Sequence, residues 1–344
     1  MRKVLVLGGT GVMGSYLIPR LLKLGFIVDT VSLDNKQSQN SKLRYFMGNA
    51  KDLTYLNELV KNDYDAIVDF MIYSTPEFAA RCNFFLENTQ HYIYLSSYRV
   101  YADSKLPITE NSPRLLDVSM DKEYLASDDY SLHKARGENA LIASGKKNWT
   151  VVRPTITYSS QRLQLITLEG NTIINRSRKG KPVVLPREAL LAQTTMTWGG
   201  DVAEMIARLV LNNDAYGEAY TVATAEHQPW ETVAKYYQKF IGLKYIAVGM
   251  DEFLSIQSDE PYDNYRWKLI YDRIYDRVVD NSKILNITGL KQSELKPLFV
   301  GLEESLQTLD KNKAFGNMEY SERMDAFIEK NKLAWSSKDN GFII

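Results

Sequence analysis

The 344-residue sequence has one cysteine, Cys82, and three histidines, His91, His133 and His227, set far apart. A single cysteine excludes an internal disulfide framework and suits a reducing compartment. The histidines lack metal-ligand spacing, so no metal site is expected. Net charge is missing as well: Lys plus Arg and Asp plus Glu both total 42. A dedicated nucleic-acid binder would carry a basic excess, so nucleic acid is not an expected partner. No apolar run approaches the roughly 20 residues that span a bilayer. The opening Met1-Arg2-Lys3 and Val4–Leu7 resemble the start of a signal peptide, but the apolar stretch is short and runs into glycines. It reads as a first strand, and a cytoplasmic location without membrane partners is expected. The absence of a Gly-x-Ser-x-Gly elbow excludes the common serine-hydrolase arrangement.

What is present is a soluble, globular composition, 44% hydrophobic and 24% charged, with short apolar runs alternating with helical patterns. Val4–Leu7, Ile27–Leu33, Ala66–Ile72, Tyr92–Leu95 and Thr150–Val152 read as buried strands. Leu17, Ile18, Leu21 and Leu22 form a helical apolar face that Gly25 ends, and Pro19 inside it predicts a kink or local restriction. Further on, Val183–Leu185 and Tyr220–Ala223 read as strands, and helices are expected from near Asp201 and over Trp230–Phe240. Strands alternating with helices imply an α/β Rossmann fold, a doubly wound parallel sheet that binds ligands at its carboxyl edge. We assign residues 1–158 plus about 195–225 to that domain, and about 159–194 plus 226–344 to a smaller, interleaved C-terminal substrate lobe.

Gly8-Gly9-Thr10-Gly11-Val12-Met13-Gly14 joins the first strand to the first helix. Glycines at 8, 11 and 14 permit a tight turn, backbone approach to a pyrophosphate, and close packing of helix on strand. The helix N-terminus adds free N–H groups and the positive end of a dipole. An ATP-binding P-loop fails here because Ser15 stands where its lysine must be.

Tyr130 and Lys134 lie four apart in a helical stretch and so share a face. An ammonium near a phenol favours the phenolate. Upstream, Tyr92–Ser97 is a strand delivering hydroxyls to the sheet edge. Such a serine can hold a substrate hydroxyl while the tyrosine removes its proton and a nicotinamide takes the hydride.

The order Gly-x-x-Gly-x-x-Gly, Ser96-Ser97-x-x-Val100-Tyr101, Tyr130-x-x-x-Lys134 resembles the extended short-chain dehydrogenases/reductases, the NAD-dependent epimerase/dehydratase family. Pro107–Pro113, Val152-Arg153-Pro154 and Asp201-Val202-Ala203 agree, extending the likeness over most of residues 1–310. The resemblance implies Ser97, Tyr130 and Lys134 as catalytic residues, with Tyr130 the acid–base and Lys134 binding ribose. It implies NAD as cofactor, with NADP the alternative. The dinucleotide contacts would come from Gly8, Thr10, Gly11, Val12, Met13, Gly14, Asn49, Met71, Tyr130, Lys134 and Pro154. Asp34, after the second strand, would accept from the ribose 2′-hydroxyl and repel a 2′-phosphate. An ungapped count from Gly25 puts Ser32 at that position instead, so Asp34 requires a strand two residues longer; otherwise Lys36 or Arg44 becomes the phosphate contact. The expected reaction is hydride transfer at a secondary alcohol or ketone, foremost as a nucleotide-sugar epimerase, with a homodimer the oligomer considered. A simple ketone reductase or alcohol dehydrogenase is the second reading.

Several positions depart from the family. Ser97-Tyr98-Arg99 replaces the Thr-Asp-Glu of dehydratases, which argues against sugar dehydration. Thr194 stands where nucleotide-sugar members carry a diphosphate-binding arginine; Arg176, Arg178 and Arg187 are the substitutes considered. The segments around Tyr45–Asn49 and Tyr64–Phe70 are closer to an atypical branch in which the fold can serve RNA binding, the third reading. Cys82 reads as a small buried helix residue, and His133 as a solvated or supporting one. The aromatics of Tyr262–Tyr275 suit either a pocket wall or lobe core, and Arg266, Arg273 and Arg277 read as surface residues.

Overall fold

Side-chain alternation along the first strand decides the architecture. In the computed structural model, which describes residues 1–257, 265–309 and 319–333, strand β1 is Lys3–Leu7. Val4 and Val6 pack with Leu17, Ile18 and Leu21 of helix α1 (Gly14–Lys23) on one face. Leu5 and Leu7 join Leu56, Phe78, Phe85 and Trp149 on the other. A strand apolar on both sides must be covered on both faces, which is the condition for a doubly wound parallel sheet.

Six further strands complete that sheet: β2 (Ile27–Ser32), β3 (Leu43–Met47), β4 (Tyr64–Asp69), β5 (Thr89–Leu95), β6 (Trp149–Val152) and β7 (Glu218–Tyr220). Their order is β7-β6-β5-β4-β1-β2-β3 and every pairing is parallel. The winding reverses between β1 and β4, where Leu7 lies beside Asp69 and Asp69 beside Tyr94. A crevice opens outside the carboxyl ends at such a switch point.

Several elements differ from expectation. β2 stops at Ser32, because the Asp34 N–H turns back to donate to the Ser32 hydroxyl. β4 stops at Asp69, whose carboxylate accepts from the Met71 N–H at 2.9 Å and bends the chain. β7 begins at Glu218 and ends at Tyr220, before the expected end at Ala223. β3 lacked a buried run to announce it: it is an edge strand of half-buried and exposed residues. Pro19 does not interrupt α1, which runs on to Lys23.

The C-terminal part has its own core. A parallel pair, Val183–Pro186 with Tyr245–Val248, packs with the helix Trp230–Ile241. Tyr98, Tyr101, Ile108 and Ala135 from the first half belong to the same apolar cluster. This core therefore sits directly on the segments that leave the sheet's carboxyl edge.

Candidate functional site

The glycine turn is built for close approach. Gly8 has φ +79°, a conformation side chains rarely adopt. A Cβ on Gly14 would lie 2.4 Å from the Gly9 Cα, backbone against backbone, so only glycine lets α1 start there. A Cβ on Gly11 would meet only the Gly8 carbonyl, at 3.4 Å, and Gly11 is exposed. No side chain caps α1 and no acidic residue lies in its first turn. The Ser15 and Tyr16 N–H groups are taken by the Gly11 and Met13 carbonyls at 3.0 and 3.1 Å, which leaves those of Val12, Met13 and Gly14 to meet an external anion. Thr10, Val12 and Met13 are half-buried around the turn, and the Met71 sulfur would lie 3.5 Å from a Cβ on Gly8. These features fit a dinucleotide pyrophosphate.

Tyr130 is the first residue of helix α2 (Tyr130–Ala143), fixed there by the Asp129 carboxylate, which accepts from the Ser131 N–H at 3.0 Å. Ser97 follows β5 directly and is buried. One turn along α2, Lys134 is fully buried; its ammonium donates to the Leu95 carbonyl at 2.6 Å and more weakly to that of Met71 at 3.4 Å. Burial pushes Lys134 down to about 8, against the pull of Asp69 and Glu138. Glu138, further along α2, accepts from Ser96 at 2.5 Å and from Arg153 at 2.8 and 2.7 Å, tying α2 to the ends of β5 and β6.

Burial pushes the Tyr130 phenol up, while Arg99, Arg162 and the neighbouring Ser97 hydroxyl act in the opposite direction. The Arg99 guanidinium lies 5.3 Å from the centre of the Tyr130 ring and the Lys134 ammonium 5.7 Å. The charges that act towards the phenolate are thus those of Arg99 and Arg162, not the Lys134 charge that the four-residue spacing suggested, and burial outweighs them. His133 is half-buried with its ring edge-on to Tyr130 at 5.2 Å.

One cavity of about 320 Å³ gathers these parts. Val12, Met13, Ser97, Tyr130 and Pro154 line it, and so does a second group, Arg99, Arg162, Gln164, Lys268 and Arg273. The second group escaped sequence reasoning. Arg162 and Gln164 lie in no motif, and Arg273 and Arg277 are corrected outright: they are 3% and 2% exposed. Both pair with the buried Asp272 carboxylate, and Arg273 also donates to the Tyr98 hydroxyl at 2.6 Å. Buried carboxylate and phenol partners make room for guanidinium groups that composition alone assigns to the surface. Trp267 and Tyr271 pack with Tyr124 in a separate apolar cluster, while Tyr262 lies outside the described residues.

Other candidates do not join this cavity. Asp34 is exposed two residues beyond the end of β2, so the longer strand its role required is not formed and Ser32 holds the last strand position. Arg44 is engaged by the buried Asp29 carboxylate at 2.8 and 2.5 Å. Arg176 is fully buried and held by Ser321 and Asp325, which removes it as a diphosphate ligand. Arg178 and Arg187 are exposed, Arg178 on a different cleft with Lys239 and Phe240. Asn49 is exposed, its side-chain oxygen accepting from the Lys51 N–H at 2.9 Å. Cys82 is buried at the start of a short helix, as expected. Among the described residues no cluster of three potential metal ligands forms, and no helix is long and apolar enough to cross a membrane.

Residues 4–83 match the model of the NAD dependent epimerase/dehydratase family. The match is confined to the N-terminal segment that holds β1, the glycine turn, β2, β3 and β4. A UDP-glucose 4-epimerase of Lactobacillus helveticus is 26% identical over 133 residues, and the match spans 32% of this chain and 40% of that relative. The fold extends further. The dTDP-glucose 4,6-dehydratase of Bacillus anthracis, solved with NAD, superposes with a TM-score of 0.67 at 18% identity, covering 91% of this chain and 97% of its own. The UDP-glucuronic acid 4-epimerase of Bacillus cereus, solved with UDP-glucuronic acid and NAD, gives 0.64 at 14% identity, covering 90% and 100%. The seven-stranded parallel sheet is thus the Rossmann sheet of epimerase/dehydratase structures. Arg99, where the sequence resemblance would put a dehydratase's acid, pairs with Asp129 at 3.2 Å and Asp272 at 3.7 Å.

Proposed function

We propose that the protein is an NAD-dependent epimerase-like enzyme acting on a secondary alcohol of a small molecule, foremost a nucleotide-sugar. One observation carries the reading: the glycine turn, Ser97 and Tyr130 open onto a single cavity, with Lys134 buried behind Tyr130. The turn and the open N–H groups of Val12, Met13 and Gly14 hold the pyrophosphate, and Val12, Met13 and Pro154 lie with Tyr130 in the cavity lining. Bound NAD supplies two-electron oxidation and reduction at carbon. The chain's own work is proton movement and orientation: Ser97 holds the substrate hydroxyl, and the Tyr130 oxygen takes and returns its proton. Arg99 and Arg162 favour the deprotonated phenol, and Lys134, anchored on the Leu95 carbonyl, holds the nicotinamide ribose. Arg99 offers no carboxyl for acid–base elimination of water, which supports epimerisation over dehydration. Supporting the cofactor assignment, the dehydratase and epimerase structures of the same fold carry NAD. The zero net charge disfavours the RNA-binding alternative.

Calorimetry with NAD, NADH, NADP and NADPH tests the cofactor half, and one site per chain is expected. Heat from none of the four would overturn the fold-based assignment. A panel of UDP- and dTDP-sugars, followed by NMR for epimer formation, tests the chemistry, with keto compounds and reduced dinucleotide distinguishing a simple reductase.

A further inference from the structure

Every charged side chain among the described residues that line the cavity is a cation. Arg99, Arg162, Lys268 and Arg273 line it, and no carboxylate stands among the described lining residues. The carboxylates lie behind or beside these cations and are too few. Asp272, fully buried, is shared by Arg273, Arg277 and Arg99. Asp129 takes the other side of Arg99 at 3.2 Å. Glu169 serves both Lys268 at 3.3 Å and Arg162 at 3.8 Å. Counting Arg277, five cations meet three carboxylates among the described residues, an excess of two positive charges around a partly enclosed space.

The arrangement is specific as well as charged. Lys268 and Arg273 are five residues apart, which on an α-helix of 3.6 residues per turn would point them about 140° from each other. A π-helical turn over Leu269–Arg273 follows the short helix Tyr265–Lys268, and both side chains line the cavity. Such turns are rare and recur at functional sites. Arg273 is fully committed: it donates to the Ile166 carbonyl at 2.8 Å, to Tyr98 and to Asp272. Lys268 and Arg162 are not, since they share Glu169, itself half exposed. Burial and the nearby guanidinium groups press the Lys268 ammonium down to about 7, a penalty that an incoming anion would remove.

We infer that the cavity takes a substrate whose reacting end carries an oxyanion, a carboxylate or a phosphate, bound by Lys268 and Arg162 in the field of Arg273 and Arg99. The oxyanion displaces Glu169 from these two cations and places the adjoining carbon beside Tyr130 and Ser97. The last clause rests on the proposed acid–base role of Tyr130, whereas oxyanion binding stands without it.

Calorimetry on the full-length protein saturated with NAD separates the two oxyanion sources. UDP-glucuronic acid against UDP-glucose reads a carboxylate on the sugar, and glucose 6-phosphate against glucose reads a phosphate on it. At least one pair should show a tenfold or greater preference for the more anionic member. Lys268→Met and Arg162→Gln, both at partly exposed positions, should each reduce that preference to under threefold, and Lys268→Arg should retain it. NAD affinity, measured in the same experiment, should not move. Equal affinities within both pairs, a preference that survives Lys268→Met, or no binding of any probe at millimolar concentration would each overturn the inference. If NAD fails to bind while the oxyanion preference persists, the proposed redox function falls and this inference stands.

Discussion

The two groups of residues that line the cavity are made in opposite ways. The group proposed to meet the dinucleotide is backbone and small side chains: a glycine turn, an uncapped helix end and Pro154, all set by neighbours close in sequence. The other group is long charged side chains held by partners far away, such as Arg273 on Tyr98, 175 positions apart. A lining of local geometry accepts any ligand with a pyrophosphate, whereas a lining of distant ion pairs can be retuned residue by residue. The contrast teaches why chains of one fold share a cofactor site and differ in what they act on.

The comparison can be broken first at its centre. Tyr130→Phe removes one hydroxyl from the cavity lining and leaves the packing in place. Turnover of any working substrate should fall by about two to four orders of magnitude, with dinucleotide affinity nearly unchanged. Steady-state rates and calorimetry on the same preparation check both parts. In the charged group, Asp272→Ala leaves three guanidinium groups around an empty, fully buried position. Breaking a buried pair costs about 3–5 kcal/mol, so thermal denaturation should show a marked fall in stability. In the backbone group, Gly11→Asp should preserve the fold, because the position is open, yet weaken dinucleotide binding by at least about tenfold, or 1.4 kcal/mol. Unchanged affinity there would mean the turn is not the pyrophosphate cradle.

A subtler difference is pH dependence. Lys268 faces Glu169 and is crowded by Arg99, Arg162 and Arg273, with burial the largest cause of its low value of about 7. Its charge is present below that value and lost above it. Affinity for UDP-glucuronic acid should therefore be higher near pH 6 than near pH 8.5, and Lys268→Met should flatten the profile. The smallest expected effect concerns cofactor choice. With β2 ending at Ser32, Ser32→Asp should shift preference towards NAD severalfold, while Asp34→Ala should change it by less than about threefold.

The same division explains what could be read in the sequence. Gly8–Gly14, Ser97 and the Tyr130–Lys134 pair are visible because each depends on spacing within one or two elements, and the sheet is visible because β1, β4 and β5 are apolar on both faces. β3 was hidden because an edge strand needs only a half-buried side. The length of β2 was misjudged because one side-chain bond, from the Asp34 N–H to Ser32, ends it. Arg99, Arg273 and Arg277 were hidden for a different reason. Arginine is normally a surface residue, and only the three-dimensional meeting of Asp272 with Tyr98 brings these groups inside. Lys268 was missed because its direction depends on a π-turn that no periodicity announces.

The most direct measurement is epimer formation by wild type and Tyr130→Phe, side by side, on neutral and uronate nucleotide-sugars with NAD, followed by NMR. The account predicts that at least one sugar is epimerised by the wild type and that Tyr130→Phe converts it about two to four orders of magnitude more slowly while still binding NAD. Equal rates in the two proteins, or no conversion of any sugar by a wild type that binds NAD, would contradict it.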